Sequence, residues 1–148
     1  MAKDCFVEVV KQDSKNAQAY HLLGLLFSQE NQFPQALDCL SKAVINDPGN
    51  LSYLLNFANL QSKVGYLKEA VDNYLLYLEQ KPSSPDVLFY LACTLMQAKK
   101  FDDAIQVFYK SIELNSKVLA PYMTLADLQY KLLRYGDALN TYLKALGE

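Results

Sequence analysis

Residues 20–48 read YHLLGLLFSQENQFPQALDCLSKAVINDP. Tyr20, Leu23, Gly24 and Phe27 recur at the i, i+3, i+4, i+7 spacing of one helical face, and Ala36, Leu40 and Ala43 repeat that spacing after Pro34. Two amphipathic helices are predicted here rather than strands, because a strand would alternate with a period of two. Small residues at Gly24 and Ala36 let the two helices approach closely. Leu40 fills the space beside them, and small Ala43 leaves room for a helix that follows. Pro34 opens the second helix and Pro48 follows it, where a proline's missing N–H costs little.

The same arrangement recurs along the chain with a period of 34 residues. Alanine stands at Ala2, Ala36, Ala70, Ala104 and Ala138, followed in phase by Phe6, Leu40, Tyr74, Phe108 and Tyr142. Upstream lie Tyr20, Leu54, Leu88 and Tyr122, then Leu23, Phe57, Leu91 and Leu125, then the small Gly24, Ala58, Ala92 and Ala126. A fixed period of this length marks an array of supersecondary units, none of which buries its apolar face alone. The 148 residues divide into a half-repeat, 1–16, and repeats 17–50, 51–84, 85–118 and 119–148. Helices are predicted near 2–13, 17–30, 34–46, 51–64, 68–80, 86–98, 102–114, 119–132 and 136–147. Pro82, Pro85 and Pro121 fall at helix edges, Gly65 and Gly136 at turns within repeats, and Asp47 to Asn50 forms a turn between repeats.

The sequence Tyr20-x2-Leu23-Gly24-x2-Phe27, Ala36-x3-Leu40-x2-Ala43, Pro48 resembles the tetratricopeptide repeat, and in-phase copies carry the resemblance over the whole chain. Departures are Gln61 and Gln129 where Phe27 supplies an aromatic ring, Tyr77 for a small residue, and Ser14 and Ser116 for the proline between repeats. The resemblance implies an all-α solenoid of antiparallel helix pairs, wound as a right-handed superhelix with first helices lining a concave groove that binds a protein or peptide. Groove positions by this analogy include Leu22, Leu25, Leu55, Asn56, Asn59, Phe89, Tyr90, Met123, Asp127 and Tyr130. Their apolar and aromatic character suits an amphipathic helix or hydrophobic segment, with Asn56 and Asn59 as hydrogen-bonding registers. The alternative is that several of them pack within their own repeats. The family's clamp for acidic EEVD-type chaperone tails maps onto His21, Leu25, Asn56, Asp86 and Tyr90. Only Asn56 agrees and Asp86 would repel a carboxylate, so that tail is an unsuitable partner. An asparagine ladder along the groove would need Asn at Leu22, Tyr90 and Thr124 as well.

The rest of the composition is consistent with this reading. At 51% hydrophobic and 20% charged, the chain has enough apolar mass to fold. A net charge of -2 without a basic block argues against nucleic acid. No apolar run approaches the ~18 residues of a membrane span, and Asp4, Glu8 and Lys11 interrupt any signal-peptide core. Three cysteines and one histidine, without a CxxC pair, offer no zinc or disulfide framework. Cys5 and Cys39 share one repeat position and are expected to be packed, whereas Cys93 falls in the groove. No metal, cofactor or catalytic constellation is expected. Asp102, Asp103 and Asp137 complement the starts of second helices, and Lys99 and Lys100 the end of a first helix. A reduced, intracellular and cytoplasmic setting follows from these features. Leu139, Tyr142, Leu143 and Leu146 lack a following repeat, which implies either a longer array or pairing with a second copy. Two functions remain: an assembly scaffold, or the substrate-recognition arm of a larger enzyme such as a glycosyltransferase.

Overall fold

A computed structural model describes residues 2–147. Met1 and Glu148, the ends of the 1–148 array, and the side chain of Ala2, first of the alanine series, lie outside the described residues. The described residues form α1 (Ala2–Gln12), α2 (Ala17–Gln29), α3 (Phe33–Asn46), α4 (Leu51–Val64), α5 (Leu67–Gln80), α6 (Pro85–Gln97), α7 (Phe101–Leu114), α8 (Leu119–Lys131) and α9 (Tyr135–Ala145), with no strand among them. The helices group into two compact units, Met1–Asn73 and Tyr74–Glu148. In the first, α1 packs on α2, α2 on α3 and α3 on α4; in the second, α6 packs on α7, α7 on α8 and α8 on α9. Within each unit, short connections make these packed neighbours antiparallel.

Local chemistry sets where the helices start and stop. Asn16 and Asn50 cap α2 and α4, each side chain accepting the backbone N–H three residues on, at 3.0 and 3.2 Å. Pro85 opens α6. Between the helices of each repeat the chain turns through one left-handed residue, and these residues recur at the 34-residue period: Asn31, Gly65, Lys99 and Leu133, with φ of 60°, 109°, 63° and 63°. The N–H after each turns back to the helix just ended: Gln32 to the Phe27 carbonyl, Tyr66 to Gln61, Lys100 to Leu95 and Arg134 to Gln129, at 2.8 to 2.9 Å. This is the Schellman closure, which satisfies carbonyls that the helix end leaves over.

One sequence expectation needs correction here. Gly136 does not make a turn: it lies in the first turn of α9, and Leu133 takes the left-handed conformation instead. Lys99 and Lys100 stand just past the end of α6, which ends at Gln97; Lys99 is the left-handed residue, and Lys100 precedes α7. The Schellman closure sets the turn one or two residues beyond the helix, which in the last repeat is Leu133, three residues before Gly136.

The alanine series is the seam of each helix pair. Ala36, Ala70 and Ala104 are fully buried and Ala138 nearly so, while Leu40, Tyr74 and Phe108, four residues on, are also buried. A methyl group added to Gly24 would lie 2.8 Å from Leu40 Cγ and Cδ2 and 3.3 Å from the Ala36 carbonyl, so glycine is required by close approach. Phe27, Phe33, Leu37 and Phe57 close over Ala36, Leu40 and Leu60. Gln61 and Gln129 keep the buried position of the missing aromatic through hydrogen bonds instead. Asn73 donates to Gln61 Oε1 at 2.6 Å, and Thr141 to Gln129 Oε1 at 2.7 Å. Cys39 is buried as expected, but Cys5 is exposed. Its helix α1 has no first helix of its own repeat among the described residues to cover that position.

Candidate functional site

The first helices of each unit carry the groove positions. In the first unit, Leu22 and Leu25 on α2 and Leu55, Asn56 and Asn59 on α4 are all half-buried. Leu25, Asn56 and Asn59 come together around a cavity of about 160 Å³, with Ser28 and Lys63 at its sides and Leu40 and Leu60 also lining it. Leu22 and Leu55 do not line it. The sequence pattern missed the histidine contacts that hold this face. Asn56 Nδ2 donates to His21 Nε2 at 2.8 Å, and the His21 ring stacks on Tyr53 with centroids 4.4 Å apart. Burial lowers the His21 pKa below its ordinary value, favouring the neutral ring whose Nε2 can accept. Asn56 thus spends one amide hydrogen within the protein.

In the second unit the α6 positions belong to an aromatic cluster. Phe89 lies 6.0 Å from Phe108 and 6.3 Å from Tyr90, and Tyr90 lies 6.4 Å from Tyr74. Phe89 is half-buried in this packing, whereas Tyr90 stays 38% exposed. On α8, Met123 is 40% and Tyr130 60% exposed. Tyr130 meets Tyr135 edge to face, 5.2 Å between centroids. Asp127 accepts the Tyr142 hydroxyl at 2.8 Å, and this bond to a carboxylate raises the Tyr142 pKa. Cys93 is half-buried, and desolvation pushes its thiol up to about 11, away from reactivity at neutral pH.

His21 is engaged by the Asn56 amide and stacked on the Tyr53 ring. Among the described residues, no three of His, Cys, Asp and Glu are grouped to hold a metal ion, and no helix is long and apolar enough to cross a membrane. Within each unit the first helices offer shallow apolar and amide positions, which suits contact with another polypeptide.

The tetratricopeptide repeat profile matches residues 17–50. Residues 17–50 are a tetratricopeptide repeat (TPR), and the described helices carry that fold along the chain. A second profile, anaphase-promoting complex, cyclosome, subunit 3, matches residues 74–145. Over 97% of its length the TPR chain is 26% identical to the probable UDP-N-acetylglucosamine–peptide N-acetylglucosaminyltransferase SPINDLY of Hordeum vulgare, of which it covers 16%. Over 50% of its length it is 32% identical to the N-terminal acetyltransferase A complex auxiliary subunit of Arabidopsis thaliana, covering 8% of that protein. The chain therefore spans less than one-fifth of either relative. Among solved structures, a crystal structure of MamA superposes with a TM-score of 0.89 at 17% identity, over 98% of this chain and 85% of that one. MamA of Desulfovibrio magneticus RS-1 gives the same score at 11% identity, over 98% and 82%. These likenesses show an all-α TPR fold.

Proposed function

We propose that the chain is a protein-interaction module that holds an apolar or helical segment of a partner against its first helices. The observation that carries this reading is the exposure of Tyr90, Met123 and Tyr130 on α6 and α8 of the second unit, large apolar side chains that water would otherwise surround. In the first unit, Leu25, Asn56 and Asn59 supply an apolar wall with polar registers, and Leu22 and Leu55 extend it. Residues 1–148 act as one array within a longer TPR protein or multi-protein assembly, in the cytoplasm. Three free cysteines are consistent with a reducing compartment. The module itself is not an enzyme, and Asp86 and Asp127 disfavour an acidic tail as ligand. Pairing with a second copy through Leu139, Leu143 and Leu146, which are 58%, 36% and 77% exposed, is a further part of this reading.

A second reading has its own support. The likeness to SPINDLY covers nearly the whole chain, so the array can serve as the substrate-selecting arm of a glycosyltransferase. Selecting displayed peptides on the intact chain tests the binding face. Enriched peptides should lose at least about tenfold in affinity, roughly 1.4 kcal/mol, on a Tyr90→Ser, Met123→Lys, Tyr130→Ser variant that keeps its helical content. Unchanged binding refutes the first-helix face. The gene sequence after Glu148 separates the two readings, since further repeats indicate a scaffold and a catalytic domain the arm.

A further inference from the structure

Tyr109 and Ser41 occupy the same place in the 34-residue period, and the difference between them opens a cavity in the first unit. In the second unit Tyr109 extends from α7 to α8, where its hydroxyl oxygen accepts from Gln129 Nε2 at 2.9 Å. Arg134 before α9 also pairs with Asp102 of α7 at 3.0 Å. The matching residues of the first unit are Ser41, Gln61, Tyr66 and Pro34. Serine is too short to reach the glutamine, and tyrosine and proline cannot form the ion pair. What remains is a cavity of about 520 Å³ whose walls include Ser41, Phe57, Gln61 and Tyr66, with the carboxylates of Asp38 and Glu69 also lining it.

Gln61 is only 7% exposed. Its Oε1 takes the Asn73 hydrogen bond, and its Nε2 has no partner among the described residues. Every wholly inaccessible side-chain polar atom described does have a partner, so this donor opens on the cavity. A buried amide with one unmet donor, in a space that a phenol fills in the other unit, specifies its own occupant.

We propose that this cavity is a docking pocket for a tyrosine side chain of a partner protein, followed or preceded by a basic residue. The ring lies against Phe57 and Tyr66, the phenol oxygen accepts from Gln61 Nε2, and the basic residue meets Glu69, since Asp38 is already paired with Lys42 at 3.0 Å. The pocket is built from α3, α4 and the start of α5, and shares no lining residue with the cavity around Leu25, Asn56 and Asn59, so either can fail alone.

The test is a titration of the isotope-labelled intact chain with the amidated, acetylated tripeptides Arg-Tyr-Arg, Arg-Phe-Arg and Arg-Ala-Arg, following the Gln61 side-chain amide by NMR. The tyrosine peptide should move that signal saturably and bind about three- to tenfold more tightly than the phenylalanine one, the worth of one hydrogen bond. Ser41→Tyr should fill the pocket from within, raise the melting temperature and abolish the response. A tyrosine peptide that binds no better than the phenylalanine peptide overturns the proposal, as does an undiminished response in folded Ser41→Tyr. The peptide comparison uses the natural chain and decides the matter even if that variant does not fold.

Discussion

Thr141 donates its hydroxyl to Gln129 Oε1 at 2.7 Å, and both side chains are more than nine-tenths buried. Gln129 Nε2 in turn donates to the Tyr109 hydroxyl, so one amide ties α7, α8 and α9 together. Thr141→Val keeps the shape but leaves a buried carbonyl oxygen unmet, and should cost about 1–3 kcal/mol in denaturant unfolding. Adding Gln129→Leu should restore most of the loss, because Leu95 and Val107 already hold the matching positions one repeat earlier. A double-mutant cycle without coupling would show that the hydrogen bond contributes nothing.

Leu133 sits at φ 63° and is 70% exposed. A leucine side chain is strained in that region, and little apolar burial is lost with it. Leu133→Gly should therefore stabilise the second unit by about 1 kcal/mol, and Gly65→Ala should destabilise the first by a similar amount. Thermal melts of the two variants should shift in opposite directions.

Gly24 packs so near Leu40 that an added β-carbon would lie 2.8 Å from the leucine side chain. Gly24→Ala gains up to about 1 kcal/mol of helix propensity but drives a methyl into a fully buried leucine, at a cost of about 1–3 kcal/mol. The net effect is expected to be a loss. In a Leu40→Ala background the sign should reverse, which chemical denaturation of the four-member set would read.

His21 links stability to pH. Its folded pKa lies below the ordinary 6.5 because burial disfavours the charged ring, and its Nε2 accepts from Asn56 only when neutral. The contribution is fully present above pH 6.5 and is lost as pH falls through the lowered folded value. His21→Phe should flatten the stability profile in that window, and an NMR titration should place the His21 midpoint below 6.5.

Thiol labelling should rank the cysteines by environment. Exposed Cys5 should react first, ahead of Cys93, whose pKa is pushed up to about 11, and buried Cys39 should react last. Rapid modification of Cys93 at neutral pH would show that the second unit opens at α6.

Residue volume and period made the helices and their alanine seam readable in the sequence, because small, bulky and proline positions each answer a steric demand that repeats every 34 residues. Gln61 and Gln129 read as defects in that pattern. Their partners Asn73 and Thr141, each 12 residues on, could have been found by comparing residues in phase, where Phe27 and Leu95 face the less polar Cys39 and Val107. The left-handed turn position was not readable, since three of its four occupants are not glycine. For the proposed face, composition could not separate Tyr90 and Met123, left exposed, from Phe89, drawn into packing with Phe108. That distinction depends on how closely neighbouring helices approach.

A chain built from near-copies of one hairpin risks closing a helix on the wrong neighbour while it folds. The glutamine positions work as addresses against that error. If α8 met α7 in the place of α9, Gln129 would face Val107 and bury an amide with nothing to bond; if α6 met α9, the Thr141 hydroxyl would face Leu95. Each mistake carries a penalty of about 1–3 kcal/mol, which the correct pairing avoids, so alternating polar and apolar pairs disfavour closing a helix on the adjacent repeat's mate.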